Sequence, residues 1–136
     1  MTGRDLQPIA PVDLVVVGLG PAGIACVVQA CRDGLSVIAV GDEPPGGLLP
    51  AARRIDNLPG QPGISGPDLA RRLGSHLSHT SARVFLGRCT RVSRRQSLWA
   101  VEGSMGTVLG KTVCLAVGTE PNPLPWDAPA TGRMHR

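Results

Sequence analysis

The stretch Leu14-Val15-Val16-Val17-Gly18-Leu19-Gly20-Pro21-Ala22-Gly23 determines how the rest of the chain is interpreted. Its first half is a continuous apolar run, which is typical of a buried parallel strand. The glycines that follow have the spacing G-x-G-x-x-G, which suits a tight turn into a helix. Such a turn directs free backbone N–H groups and the positive end of the helix at a pyrophosphate. The sequence therefore predicts a strand, a phosphate-binding turn and a helix in succession.

The residues after this turn supply the context that a dinucleotide site needs. A helix is predicted from Pro21 to about Asp33, with proline at the favoured first position and Gly34 directly after the end. Residues 36–40 form a second β-rich run, and Glu43 follows twenty residues after the last glycine of the turn. An acid there is expected to bind a ribose 2′-hydroxyl, which favours FAD or NAD over NADP. The alternative is an ordinary acidic loop without a ligand.

The remaining pattern predicts an α/β fold, a Rossmann-like domain with a parallel sheet plus a small β-meander. Residues 44–67 are rich in proline and glycine and are expected to be irregular. The further predicted elements are a helix over about 67–77, a strand at 83–86, meander strands at about 89–93, 98–102 and 107–109, and a buried strand over 112–117. The expected domain spans residues 12–125, between an N-terminal extension (1–11) and a C-terminal tail (126–136).

The composition of the chain excludes several classes of function. One Phe, two Trp and no Tyr leave few rings for base stacking, and the cations behind the net charge of +4 are scattered. We therefore expect no nucleic-acid binding. The longest apolar runs have strand length and the first residues lack an apolar signal core, so we expect no membrane span and a cytoplasmic location.

The cysteines and histidines do not form a metal-binding or nucleophilic pattern. Cys26, Cys31, Cys89 and Cys114 have no C-x-x-C or zinc-like spacing and are expected to be small buried hydrophobes. His76 and His79 are three residues apart with no carboxylate nearby, which favours a surface position. The sequence thus predicts no metal site and no catalytic residue.

Beyond the glycine turn, motifs along most of the chain resemble the FAD-binding half of the thioredoxin reductase-like pyridine nucleotide-disulfide oxidoreductases. The matching segments are 18–23 (GLGPAG), 46–49 (GGLL), 55–60 (IDNLPG), 64–69 (ISGPDL) and 115–121 (LAVGTEP). Their order and spacing follow the family pattern from about Val12 to Pro125. The resemblance implies FAD as the cofactor.

By position, the resemblance also assigns residues to parts of the cofactor. The pyrophosphate would be held by Gly18, Gly20, Pro21, Ala22 and Gly23, and the adenosine ribose by Glu43. Gly47, Leu48 and Asn57 would lie near the ribityl chain or flavin ring. The backbone around Cys89 would approach the adenine, and Ala116 and Gly118 would close over the dinucleotide.

The chain also departs from the family pattern. Leu48 stands where the family usually has Gln, Leu58 where an aromatic is common, and Val117 where Thr is usual. The resemblance further implies that an NADPH domain, a redox-active C-x-x-C and a returning Gly-Asp segment are missing. We therefore expect no thioredoxin reductase activity from these residues alone, and an FAD-binding domain that is incomplete relative to the family.

These observations predict a small FAD-binding subunit of a multi-chain flavin-dependent oxidoreductase. A second protein chain would complete the flavin site, and self-association into a homo-oligomer is also possible. The alternatives are a non-catalytic protein that binds FAD or NAD, and a truncated remnant of a thioredoxin reductase-like enzyme. The local residues do not separate FAD from NAD, because both cofactors present the same ADP half.

Overall fold

The computed structural model describes residues 10–42 and 44–119, which form one sheet, two α-helices and a short 3-10 helix. The helices are α1 (Pro21–Arg32) and α2 (Gly66–Ser78), and the 3-10 turn covers Leu49–Ala51. The strands are β1 (Val12–Val17), β2 (Val37–Gly41), β3 (Arg83–Leu86), β4 (Cys89–Arg95), β5 (Leu98–Gly103) and β6 (Gly106–Leu115). The predicted boundary at 125 and the tail beyond it lie outside the described residues.

The six strands form a single mixed sheet in the order β3-β2-β1-β6-β5-β4. Strands β3, β2, β1 and β6 run parallel, and β6, β5 and β4 form an antiparallel meander. Strand β6 belongs to both halves. The predicted α/β class, a parallel sheet with a small meander, is confirmed.

The prediction of two separate strands between residues 107 and 117 was wrong. Residues 106–115 form one strand, which pairs with β5 along its first half and with β1 along its second. Gly110 suggested a break, but it pairs with both Trp99 and Val12. A Cβ at Gly110 would lie 2.7 Å from Val15 Cγ2, so the missing side chain lets β1 approach at the point where β6 passes between the two halves.

Apolar residues pack on both faces of the sheet. On one face α1 and the end of α2 cover a cluster that includes Val16, Ile24, Val27, Ala39 and Leu77. On the other face Val101, Met105 and Val108 from the meander half pack against Val15, Val17, Ile38 and Val40. Successive residues of β1 point to opposite faces of the sheet and pack into both clusters. This explains why the sequence of β1 is apolar throughout.

The end of β6 is less covered than the sequence predicts. The 112–117 run was expected to be a buried strand, yet the strand ends at Leu115, which is 62% exposed, and Val117 is 71% exposed. Beyond Gly110, β6 pairs only with β1 among the described strands, so its outer edge is open there.

The proline-rich connection between β2 and α2 is more ordered than predicted. Besides the 3-10 turn, Ile55 and Ile64 form an antiparallel bridge, with the Ile55 N–H donating to the Ile64 carbonyl oxygen at 2.8 Å. Helix α2 then begins at a serine cap: the Asp68 N–H donates to Ser65 Oγ at 3.2 Å. These contacts order the middle of the loop and the start of α2.

At the amino end of the parallel strands, Asp13 links three strands. Its carboxylate accepts hydrogen bonds from Ser36 Oγ (2.6 Å), the Ser36 N–H (3.0 Å) and Lys111 Nζ (2.6 Å). The Lys111 ammonium and Ser36 hold the pKa of Asp13 well below its usual range.

Among the described residues, neither helix is long and apolar enough to cross a membrane.

Candidate functional site

A cleft of about 770 Å³ opens at the carboxyl ends of the parallel strands. It is lined by the residues that directly follow β1, β2 and β6, together with the turn after β3 and part of the loop after β2. Ligands of open α/β sheets bind at this edge. Eight of the predicted cofactor residues line it: Gly18, Gly20, Pro21, Gly47, Leu48, Cys89, Ala116 and Gly118.

Gly18 begins the turn after β1 and has a backbone conformation that requires glycine. Its φ is +108°, and a Cβ there would overlap the Ala116 carbonyl oxygen. Its N–H donates to the Val40 carbonyl oxygen at 2.7 Å, which ties the turn to the end of β2. The first glycine of the motif thus brings the ends of β1, β2 and β6 together.

Gly20 is the residue immediately before α1, and the space beside it is open. Its φ is −77°, and a Cβ there would meet no protein atom within 4 Å. Neither its backbone angles nor packing against residues 10–42 and 44–119 requires glycine at this position. The missing side chain leaves room for a group in the cleft to approach the backbone.

The first turn of α1 is suited to an anion. Pro21 occupies the first helical position, no acidic residue lies in the first turn and no side chain caps it. The first hydrogen bond within the helix is made by the Ile24 N–H, which donates to the Gly20 carbonyl oxygen at 2.9 Å. The N–H groups of Ala22 and Gly23 precede it and have no intrahelical acceptor, so they are available to a phosphate.

Gly23 has a packing role and does not line the cleft. It is buried, and a Cβ there would overlap the Gly18 carbonyl oxygen and lie 3.4 Å from the Ala116 Cβ. Ala22 is exposed in the first turn of α1 and also lies outside the cleft lining. The three motif glycines therefore have different roles. Gly18 forms the turn, Gly20 leaves open space beside the backbone, and Gly23 allows close packing of the helix on the strand.

The loop after β2 forms the opposite wall. Gly46 donates its N–H to the Leu19 carbonyl oxygen at 2.7 Å, and a Cβ at Gly47 would lie 3.3 Å from Gly20 Cα. Leu48, where the family usually has Gln, is 64% exposed and gives this wall an apolar side chain. Beyond Asp42, the described residues of this loop that line the cleft are Pro44, Gly47, Leu48 and Pro50, and none of them has a polar side chain.

Two charged residues line the cleft that the sequence did not single out as ligands. Asp42 follows β2 and Arg88 follows β3, and both are exposed. Each lies two residues after a predicted strand (36–40 and 83–86), and this is the sequence signal that could have found them. Glu43, the predicted ribose ligand, lies outside the described residues, whereas Asp42 brings a carboxylate to the same end of β2.

Asn57 is the one described polar residue among the predicted ligands, and the structure does not bring it to the cleft. It is exposed, in the segment between the 3-10 turn and α2. The assignment of Asn57 to the flavin side therefore rests on the motif resemblance alone.

Most side chains that line the described part of the cleft are small or apolar. Among the lining residues only Asp42, Arg88 and Cys89 are titratable, and none is histidine. The described residues contain no cluster of three or more potential metal ligands. This part of the chain presents backbone groups of the turn after β1 between small and apolar residues.

The fold and part of the sequence are similar to those of thioredoxin reductases. The chain is 33% identical over 108 residues to the thioredoxin reductase of Ureaplasma parvum serovar 3, a match covering 79% of this chain and 35% of that protein. The chain thus spans about a third of the length of the curated relatives it matches. No protein-family model matches it.

Solved structures agree with this match. The thioredoxin reductase of Streptococcus pyogenes superposes with a TM-score of 0.79 at 29% identity, covering 85% of this chain and 38% of that one. That of T. acidophilum gives a TM-score of 0.79 at 28% identity, covering 86% and 38%. The sheet and helices described above have the Rossmann-like fold of the FAD-binding part of these structures.

Proposed function

We propose that this chain, which corresponds to the FAD-binding half of a thioredoxin reductase-like flavoprotein, binds FAD and serves as a component of a flavin-dependent oxidoreductase. The pyrophosphate would lie on the turn between β1 and α1. The observation that carries the proposal is the open space beside Gly20, at a helix start without a capping side chain.

The cleft fits the phosphate-bearing half of a dinucleotide. The N–H groups of the first α1 turn would donate to the pyrophosphate oxygens, favoured by the positive end of the helix dipole. Asp42 and the neighbouring Glu43 are the carboxylates that could accept a hydrogen bond from the adenosine ribose. Cleft volumes of this size are ordinary for cofactor sites.

FAD is favoured over NAD by the relatives rather than by the cleft residues, since both cofactors share the ADP half. Bound flavin would supply the hydride and electron chemistry. This chain's own contribution is to hold and orient the cofactor, because the described cleft has no histidine and no cysteine pair.

The groups that act on substrate would come from outside the described residues, and we propose that a second protein chain supplies them. Leu115 and Val117 are exposed where β6 leaves the sheet, and Leu48 is exposed on the loop wall. Exposed apolar side chains grouped at the mouth of a site are typical of a surface that another chain or domain covers.

A second candidate is a protein that binds FAD or NAD without catalysing a reaction. The observation that favours it is the wall formed by Leu48, which offers no polar contact where the family usually has Gln. On this account the chain would hold a dinucleotide through its ADP half and transfer no electrons.

Substituting Gly20 tests the proposal directly. In Gly20→Ala the new methyl group enters the open space beside the turn, so we expect the affinity for FAD to fall by about 10-fold or more while the fold is retained. Flavin fluorescence quenching measures the affinity, and thermal unfolding checks the fold. Gly74→Ala is the matched control, because a Cβ there also meets no atom within 4 Å but lies on α2, away from the cleft.

The outcomes separate the candidates. Equal FAD affinity in Gly20→Ala and Gly74→Ala would refute binding on this turn. If FAD and NAD bind equally to the native chain and both are weakened by Gly20→Ala, the non-catalytic dinucleotide-binding candidate gains over the flavin proposal.

A further inference from the structure

Cys26 of α1 and Cys114 of β6 belong to different elements but pack on the same apolar cluster. Both are half-buried, and both contact the group of buried residues between the helices and the sheet. Neither belongs to the cleft lining or to the proposed phosphate contacts. The inference below does not depend on FAD binding.

The path of the chain places these two residues opposite each other. At the top of α1, a Cβ on Gly23 would lie 3.4 Å from the Ala116 Cβ. Cys26 is nearly one helical turn after Gly23 on the same face. Cys114 is two residues before Ala116, so its side chain is on the same face of the strand.

Helix α1 starts at the edge of the sheet where β6 ends, so the two elements are antiparallel. Following α1 forward and β6 backward from the contact therefore leads in the same direction. One turn down the helix and two residues down the strand cover similar distances, about 4.5–5.4 and 6.6 Å respectively. The contact at Gly23 and Ala116 therefore places Cys26 and Cys114 at corresponding positions on the facing surfaces of α1 and β6, two elements that contact each other. Burial raises the pKa of the Cys26 thiol, and the neighbouring Cys114 thiol raises it further.

We propose that Cys26 and Cys114 are a dithiol pair that closes to a disulfide on exposure to a low-molecular-weight disulfide such as oxidised glutathione. Both are free thiols in the structure. The bond would join α1 to β6 directly beneath the phosphate-binding turn. The approach of α1 to β6 at Gly23, where an added Cβ would lie 3.4 Å from the Ala116 Cβ, is close enough for a disulfide, whose Cβ atoms are about 3.5–4.5 Å apart.

The exchange takes two steps. One protein thiol loses its proton and attacks the disulfide of oxidised glutathione, which releases one glutathione and leaves a mixed disulfide on the protein. The second protein thiol then attacks the protein sulfur of that bond and releases the second glutathione. Two protein thiols are oxidised by two electrons, and the two electrons and two protons leave in two reduced glutathione molecules.

Two double variants test the pairing. Cys31→Ser/Cys89→Ser retains only the proposed pair, and Cys26→Ser/Cys114→Ser retains only the other two cysteines. After equilibration with oxidised glutathione, we expect the first variant to lose about 2 Da with no glutathione adduct. We expect the second to keep its thiols or to gain glutathione adducts, because Cys31 and Cys89 lie in different apolar clusters.

Glutathione adducts or unreacted thiols in the first variant, with no loss of about 2 Da, would overturn the proposal. The first variant alone decides this even if the second fails to fold. The link is checked separately by tryptic peptide mapping of Cys31→Ser without reductant, in which a Cys114 peptide joined to Cys89 instead of Cys26 contradicts the pairing. The Cys31→Ser change is needed because trypsin leaves Cys26 and Cys31 on one peptide.

Discussion

At the scale of single residues, the motif glycines have different physical reasons to be glycine. Gly18 needs its positive φ, Gly23 has no room for a side chain, and Gly20 has ample room and ordinary backbone angles. The spacing predicts all three positions, but only the structure shows that, among the described residues, nothing contacts a side chain added at Gly20. The proposed binding of a pyrophosphate beside Gly20 would explain its small size.

Gly23→Ala is therefore expected to damage the fold, in contrast to Gly20→Ala. The added methyl group would overlap the Gly18 carbonyl oxygen, so either α1 moves away from β1 or the turn distorts. Overpacking of this kind costs about 1–3 kcal/mol or more. Chemical denaturation measures the loss, and a free energy of unfolding equal to that of the native chain would contradict the described contact.

Asp13 gives the chain a predictable response to acid. Its folded pKa is lowered, so its contribution to stability is present above the unfolded value of about 4 and is lost as the pH falls toward the lower folded value. We expect Asp13→Asn to lower the melting temperature near neutral pH and to reduce its decrease below pH about 4.

Thermal unfolding of both proteins across this pH range checks the prediction. Asp56→Asn is the control, because Asp56 pairs with the nearby exposed Arg54 and joins no separate strands. Parallel melting curves for Asp13→Asn and the native chain across the acid range would contradict the proposed role of the Asp13 contacts.

At the scale of elements, local sequence patterns predicted the structure best where a pattern is compatible with only one kind of element. The apolar run of β1 and the proline at the start of α1 each predict an element that the structure contains. Gly110 is compatible with two structures, since a glycine between two β-rich runs can end a strand or let another strand approach closely. Which of the two forms depends on β1, almost a hundred residues earlier, and could not be predicted from the local sequence.

The end of β6 was misjudged for a similar reason. An apolar run indicates burial only if another layer covers it, and the residues that cover each face are set by the whole topology. Leu115 lies beyond the part of β6 that the meander accompanies, so its apolar character does not imply burial in this chain. The cleft residues Asp42 and Arg88 were overlooked because no sequence motif marks them.

The capped start of α2 makes a prediction at this scale. Ser65→Ala removes the acceptor of the Asp68 N–H, so we expect a loss of about 1 kcal/mol in the free energy of unfolding. Urea denaturation measures it. Ser65→Asp restores an acceptor and should recover most of the loss, whereas equal destabilisation by alanine and aspartate would indicate that the cap contributes little.

At the scale of the whole molecule, the described part has a complete core on both faces of the sheet and an uncovered apolar end. We expect Leu115→Ser/Val117→Ser to change the free energy of unfolding by less than about 1 kcal/mol, because both side chains are exposed. Val101→Ala, at a fully buried position, should cost more. A large loss from the surface pair would show that these side chains are covered within the chain itself.

The proposal that the turn between β1 and α1 holds FAD is tested most directly by adding FAD to the purified native chain and removing free cofactor by gel filtration. We expect flavin absorbance to elute with the protein and to be displaced by excess ADP, because the cleft is proposed to hold the ADP half. Protein that elutes without flavin, together with unchanged FAD fluorescence in a direct titration, would contradict a flavin site in this chain.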